Sequence, residues 1–455
     1  MSRTDETETC SCAVGARSAS FALVAVLGAA LLGSAPAFVD APVADAAMRR
    51  DTAAVRLLIK QGADVNEAQG DGMTALHWAA EHGNAAEAKM LISAGARVGA
   101  STRNGHYTPL HIAAREGSAG VARVLLDAGS DPNAPTSSGG AAPLHFAAQR
   151  GDTVAIATLL DHKAEVDVRD SAYGQTPLMW AAAYDRVPAM NLLIKRGADI
   201  KATSKVEDIP AEEKASRAAL ALRNRRMAAI RAAEAPAGRT AAPEPPVLTM
   251  SALGFESLNG APAAGGAGGR VGAAGAAGAA GGRGGRAGAP GDTAGGRGRG
   301  QSYGDLVGNK GGLTSLLFAV RQGNSDAVVA LLAAGADINQ VSADHTSPLL
   351  MATINGQFDI AGMLLSRGAD PKIASDAGAT ALYATINIQW AAKSLYPQPV
   401  AQTKQATTYL ELTEALLKAG ADPNARLTKH LWYMSYNFDL LGVNTTGATP
   451  FWRAA

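Results

Sequence analysis

Acid–base side chains crowd one short stretch of this chain. In "HYTPLHIAAREG", running from His106 to Gly117, two imidazoles, a threonine hydroxyl and an Arg–Glu pair fall within twelve residues. Imidazoles and carboxylates take and give protons in general acid–base catalysis. A second cluster, "HWAAEH", brings His77, Glu81 and His82 close together, as a metal ion would want. Its spacing departs from the H-E-x-x-H arrangement, which sets two imidazoles one helical turn apart. Neither a G-x-x-x-x-G-K-[ST] phosphate cradle nor a G-x-S-x-G elbow occurs, and Gly-rich runs such as "GGAGGRVG" lack the preceding strand that a dinucleotide site needs.

The elements that must position these histidines come in copies. Leu76, Leu110, Leu144 and Leu178 recur at a 34-residue step within "TALHWAAEHG", "TPLHIAAREG", "APLHFAAQRG" and "TPLMWAAAYD". After a long interruption Leu316, Leu349 and Leu382 resume the pattern at a 33-residue step, and "ADAAMRRDTAAVRLLIKQGADVN" leads the array as a half-unit. Within one unit, a short helix from Thr108 to Glu116 stops at Gly117, which tolerates a left-handed backbone. A second helix, Gly120 to Asp127, carries Val121, Val124, Leu125 and Leu126 at helical spacing and stops at Gly129. The paired alanines Ala79-Ala80, Ala113-Ala114, Ala147-Ala148 and Ala181-Ala182 are small enough to set a close stacking distance between units. Motifs such as "GADVN" at Gly62 and "GSDPN" at Gly129 supply the Gly, Asp and Asn that tight turns require.

The step and the Thr-Pro-Leu-His segment resemble the ankyrin repeat family. The resemblance implies an all-α solenoid of helix–turn–helix units with hairpin-like finger loops. It also implies that Thr74, His77, Thr108, Pro109, His111, Pro143, His145, Thr176 and Pro177 are framework, the hydroxyl and imidazole bonding locally and to the neighbouring unit's turn. Three equivalent histidines, replaced later by Met179, Leu317, Leu350 and Tyr383, point the same way, because a catalytic imidazole needs one special environment. Trp78, Ile112, Phe146 and Trp180, directly after that position, are expected in the core.

Partner contacts in the family concentrate on the finger before Thr-Pro-Leu and on the last inner-helix residues. Carried onto this chain, the resemblance implies Asp71, Met73, Glu81 and His82, then Asn104, His106, Tyr107, Arg115 and Glu116. It continues with Ser137, Ser138, Gln149 and Arg150, and ends with Tyr173, Gln175, Tyr184 and Asp185. The tyrosines and arginines are the residue types that dominate interface energetics.

Between the two runs of repeats, residues 201–311 break the pattern. "IPAEEKASRAALALRNRRMAAIRAAEA" reads as a helix over about 210–234, begun by Pro210 and two glutamates. The Gly/Ala/Arg-rich run that follows has neither periodicity nor core residues and reads as a disordered linker. With 15 basic against 9 acidic residues this insertion is the locally basic part of the chain. Its arginine–glycine pairs lack the interleaved aromatics of nucleic-acid binders. Growing a finger loop to this length costs about 2.5 kcal/mol of closure entropy, so the flanking repeats can form one stack or two tethered ones. A smaller insertion containing Pro397 and Pro399 lengthens the unit at Thr380, and Asn444-Thr445-Thr446 matches a glycosylation sequon.

The whole chain of 455 residues holds 41 basic and 40 acidic residues, so no global field recruits nucleic acid or anionic membrane. Arg17, an apolar run from Phe21 to Leu32 and Ala35-Pro36-Ala37 read as a secretory signal over residues 1–37. The alternative is an uncleaved anchor, for which this run falls short of the roughly 20 residues a membrane span needs. Cleavage would remove Cys10 and Cys12, the only cysteines. The organisation expected is a first stack over 38–200, the insertion, and a second stack over 312–455 that ends in mid-repeat. The function expected is a non-catalytic scaffold, exported to a periplasm or beyond the cell, that binds a protein partner without cofactor or metal. The alternative is the docking region of a longer enzyme or electron-transfer protein.

Overall fold

The computed structural model describes residues 41–234, 302–390, 401–431 and 445–454. The expected signal, the Gly-rich linker, the Pro397–Pro399 loop and Asn444 lie outside them.

Local chemistry builds each unit in the same way. Thr108 sits in an extended conformation ahead of the inner helix Pro109–Glu116, whose first position suits a proline because that N–H has no helical partner. Gly117, at φ 76°, ends the helix in the left-handed region, and the outer helix Ala119–Asp127 returns alongside it. The pairs Ala75–Glu81 with Ala85–Ser93, Pro143–Arg150 with Thr153–Asp161, and Pro177–Ala183 with Val187–Lys195 repeat the motif. Beyond the insertion come Ser315–Gln322 with Ser325–Ala333, Pro348–Ile354 with Phe358–Ser366, and Ala381–Trp390 with Tyr409–Lys418. The opening unit, expected as a half, has both helices, Pro42–Met48 and Thr52–Lys60. Its inner helix lacks the Thr-Pro-Leu-His segment, so the repeat pattern is faint there while the packing is the same.

Inner helices stack on inner helices and outer on outer. The paired alanines at 79–80, 113–114, 147–148 and 181–182 are all essentially without solvent contact, so the helices approach to the distance that a methyl group allows. Two hydrogen-bond ladders run across the units. Along the fingers, the amides of Arg103, Ser137 and Ser171 donate to the carbonyls of Asp71, Gly105 and Gly139 at 2.8–2.9 Å. Along the outer turns, Asn66 and Asn133 accept the amides of Arg97 and Glu165 at 2.8 and 2.9 Å, and Asn339 accepts that of Asp370 at 2.9 Å.

The insertion leaves this array at a fingertip. Strand β1, Val206–Asp208, pairs antiparallel with β2, Asn309–Gly311, Val206 facing Gly311. The ladder continues on both sides of this neck: Lys205 N donates to Tyr173 O at 2.7 Å, and Ala343 N donates to Gly311 O at 3.1 Å. Ser204 N donates to Leu313 O at 2.9 Å, so residues far apart in sequence rebuild one finger. The next inner helix, Ser315–Gln322, packs directly on Pro177–Ala183, and Phe318 is buried with Met179 and Ala202. Asn324 Nδ2 donates to the carbonyls of Ala182 and Ala183 at 2.9 and 3.0 Å, satisfying the last turn of the preceding inner helix. The repeats on either side of the insertion are therefore stacked on one another.

The chain divides into two units, the second beginning at Ala211. The 26-residue helix Ile209–Glu234 lies almost wholly in the second, and its Arg217 pairs with Glu213 one turn away. Leu222, Met227 and Ile230 on this helix are exposed. Among the described residues no helix is long and apolar enough to cross a membrane.

Two outcomes test this account. Replacing residues 209–308 by an Asn-Gly turn, which joins β1 to β2 as a tight hairpin, should leave the stack folded and stabilise it by up to about 3 kcal/mol through the shorter closed loop. Urea denaturation of the shortened chain measures this. In the same assay Ala147→Leu should destabilise by about 2–3 kcal/mol, since the larger side chain must force two inner helices apart.

Candidate functional site

The three histidines at equivalent positions of the inner helices, His77, His111 and His145, are fully buried. His77 Nδ1 accepts the Thr74 amide at 3.1 Å, His111 Nδ1 that of Thr108 at 3.1 Å, and His145 Nδ1 that of Ala142 at 3.1 Å. An Nδ1 that accepts an amide hydrogen leaves the proton on Nε2. That nitrogen then donates to the next finger: His77 to Tyr107 O at 3.1 Å, His111 to Ala141 O at 3.3 Å, and His145 to Gln175 O at 3.0 Å. The Thr74 and Thr108 hydroxyls lie 2.8 Å from the same Nδ1 atoms. Burial pushes His77 and His111 down to about 4, and it lowers His145 in the same direction, so the folded protein holds neutral rings. Every ring nitrogen is committed to backbone and none faces a cavity from which a substrate proton could be taken. Among the described residues no group of three His, Cys, Asp or Glu side chains could hold a metal ion.

The candidate contact residues divide into three sets. Met73 is buried at 8% exposure, so it belongs to the core beneath its finger and is withdrawn from the contact face. Its neighbour Asp71 is exposed, but Oδ1 accepts the Met73 amide at 2.9 Å and shapes the turn. Asp185 is also spent internally, Oδ1 accepting the Ala327 amide at 3.1 Å to cap the outer helix of the following repeat. The sequence hid this contact because the insertion separates the two residues. Asn104, His106, Ser137, Ser138 and Tyr173 are exposed along the fingers, with His106 in the left-handed region at φ 50°. Tyr107 and Gln175 are half-buried, their carbonyls taken by His77 and His145.

The third set lies at the ends of the inner helices, where Glu81, His82, Arg115, Glu116, Gln149, Arg150 and Tyr184 stand at equivalent positions. Here the structure brings residues together. Arg115, Phe146, Gln149, Arg150, Tyr184 and Arg186 line one shallow pocket. Tyr184 also lines the next, with Gln175, Ala183, Phe318, Arg321 and Gln322. The floor is aromatic: Tyr107 meets Phe146 edge-on at 5.8 Å between centroids, and Phe146 meets Trp180 at 5.7 Å. Of the residues expected in the core, Ile112 and Phe146 are buried, whereas Trp78 and Trp180 are only partly covered. Arg321 extends the series, its guanidinium carbon 4.9 Å from the Phe318 centroid.

Phe318, Arg321 and Gln322 were absent from the sequence-based set. Counting on from Leu316 as from Leu110 would have found them, because they stand at the registers of Ile112, Arg115 and Glu116. Arg186 carries no such signal. It lies in the turn after an inner helix and reaches the pocket only because Arg186 Nε donates to Gln149 O at 3.0 Å in the preceding repeat.

Comparison with known proteins places these repeats. A family model described as ankyrin repeats matches three times, at residues 43–136, 131–204 and 303–375, together just over half of the chain. The human transient receptor potential cation channel subfamily A member 1 is 35% identical over 68 residues, which are 15% of this chain and 6% of that protein. The chain thus matches a small fraction of that curated relative.

The buried imidazoles make a pH prediction. An unfolded histidine takes up its proton near pH 6.5 and the folded ones resist until about pH 4, so between these values the unfolded chain binds more protons. Stability from this source is complete above about pH 6.5 and is lost as pH falls toward 4. His111→Leu, the residue that Leu317 supplies at the same register, should reduce the pH dependence at pH 5 by about one proton's worth, or about 1.4 kcal/mol per pH unit. Urea unfolding at pH 5 to 7 checks this, and an unchanged slope would show that the ring is not the proton acceptor.

Proposed function

Since the chain belongs to the ankyrin repeat family, we propose that it is an interaction scaffold that holds a protein partner on the face formed by its fingers and inner-helix ends, with no turnover of its own. The observation that supports this reading most is the pair of shallow pockets across successive repeats, floored by aromatics and rimmed by arginines and a half-exposed tyrosine. Repeat arrays curve into an extended surface that suits a protein partner better than a small molecule. Aromatic and arginine side chains are the residue types that anchor such contacts. The buried histidines, the best catalytic candidates in the sequence, are consumed by bonds between repeats. We further propose that the partner is met after export, on the strength of the leader-like residues 1–37.

Photo-crosslinking tests the reading. A photoreactive residue at Tyr184, on the proposed face, should give a discrete adduct with a protein in the source cells or their secretions. The same residue at Val154, 56% exposed on an outer helix, should not. Equal adducts from both positions would overturn the assignment of this face.

A further inference from the structure

We infer that the partner enters the groove as an extended acidic segment, its carboxylates taken in turn by Arg115, Arg150, Arg186 and Arg321. This deepens the reading above and rests on it. Four stacked repeats contribute one exposed arginine each, and the series crosses the insertion without a gap because Ser315–Gln322 packs on Pro177–Ala183. Among the described residues, Arg150, Arg186 and Arg321 have no ion-pair partner. Arg115 is bound to its neighbour Glu116 at 2.8 Å with both side chains well exposed, and such a pair exchanges readily for a better-placed carboxylate. The nearby acids are already occupied. Asp185 caps Ala327, and Asp170 accepts the Tyr173 amide at 2.6 Å and the Trp180 indole N–H at 3.3 Å. The groove therefore offers a row of cations of which, among the described residues, only Arg115 is paired with a carboxylate of its own walls.

Spacing narrows the partner further. Packed helices lie about 8–10 Å apart, so successive inner-helix ends are stepped at roughly that interval, while Arg186 reaches back one repeat to Gln149 O. An extended polyproline-type chain rises about 3.1 Å per residue with three residues per turn, so every third side chain returns to one face after about 9 Å. A segment with Asp or Glu at every third position and apolar residues between matches both the arginine row and the aromatic floor. A single-stranded nucleic acid fits less well, since it needs open ring faces on which bases stack. Here Phe146 is 9% exposed and is covered edge-on by Tyr107 and Trp180.

The test uses the full chain and fluorescence anisotropy. The probe is a fluorescein-labelled peptide of Glu-Pro-Leu repeated four times, compared with its Gln-Pro-Leu counterpart and with a labelled twelve-base oligothymidine. The glutamate peptide should bind about tenfold or more tightly than the glutamine one, and the preference should shrink as salt rises. R150Q/R321Q should abolish the preference, whereas R367Q, at the end of the outer helix Phe358–Ser366, should preserve it. Thermal melting confirms that the variants fold; should the double variant melt early, Arg150→Gln alone carries the comparison. Equal binding of the two peptides, a preference that survives R150Q/R321Q, or tighter binding of the oligonucleotide through these arginines would overturn the inference. If Tyr184 crosslinks a protein while the peptides bind equally, the face stands and only its acidic preference fails. Absence of a Tyr184-specific adduct removes the face itself.

Discussion

Each finger of this protein donates a backbone amide to the finger before it, a bond that no repeat can complete by itself. The same holds for the apolar faces, which become dry only against a neighbour. Much of the structure follows from this dependence. A sequence inserted at a fingertip needs the ladder to close behind it, and the β1–β2 neck does so by passing the ladder from Tyr173 to Lys205 and from Gly311 to Ala343. Gly311 shows how tight the splice is. A methyl group on it would lie 2.0 Å from the Lys205 carbonyl oxygen, and its backbone is left-handed, so glycine alone fits.

The histidines strengthen the ladder in one part of the array. In three repeats the imidazole joins its own helix start to the next finger's carbonyl, fully satisfied and neutral. Elsewhere the position holds Met179, Leu317, Leu350 or Tyr383, and the hydroxyls of Thr176, Thr314, Ser347 and Thr380 accept the amides of these residues at 3.2–3.4 Å. A satisfied polar pair and a well-packed apolar side chain are nearly equivalent in free energy, so the chain uses both without altering the stack. What differs is the response to acid, since only the imidazoles gain a proton on unfolding.

The proposed binding face is the part of the inner helices left over once the alanines have set the spacing. The two residues before each helix-ending turn escape burial, and their identities are free to vary among Glu81, Arg115, Arg150, Tyr184 and Arg321. Stacking turns these scattered choices into a continuous groove. Neither pocket exists within one repeat: the first draws on three consecutive units, and the second on units separated by the insertion.

The sequence by itself determined the repeat, its helices and its stops, because these rest on local rules: a proline after an extended threonine, a glycine with positive φ at a helix end, alanines where helices meet. The resemblance to ankyrin repeats, carried by those residues, pointed to the inner-helix ends as candidate contact positions. Met73 was misread because the turn that Asp71 makes with the Met73 amide buries a side chain that finger position alone would leave outside. That the repeats on either side of the insertion stack directly, that Asp185 caps the helix after it, and that Arg186 and Arg321 join Arg115 and Arg150 in one groove were decided only by the tertiary structure. Those contacts join residues up to about 140 positions apart, and their partners are chosen by how whole units stack, which no local rule encodes.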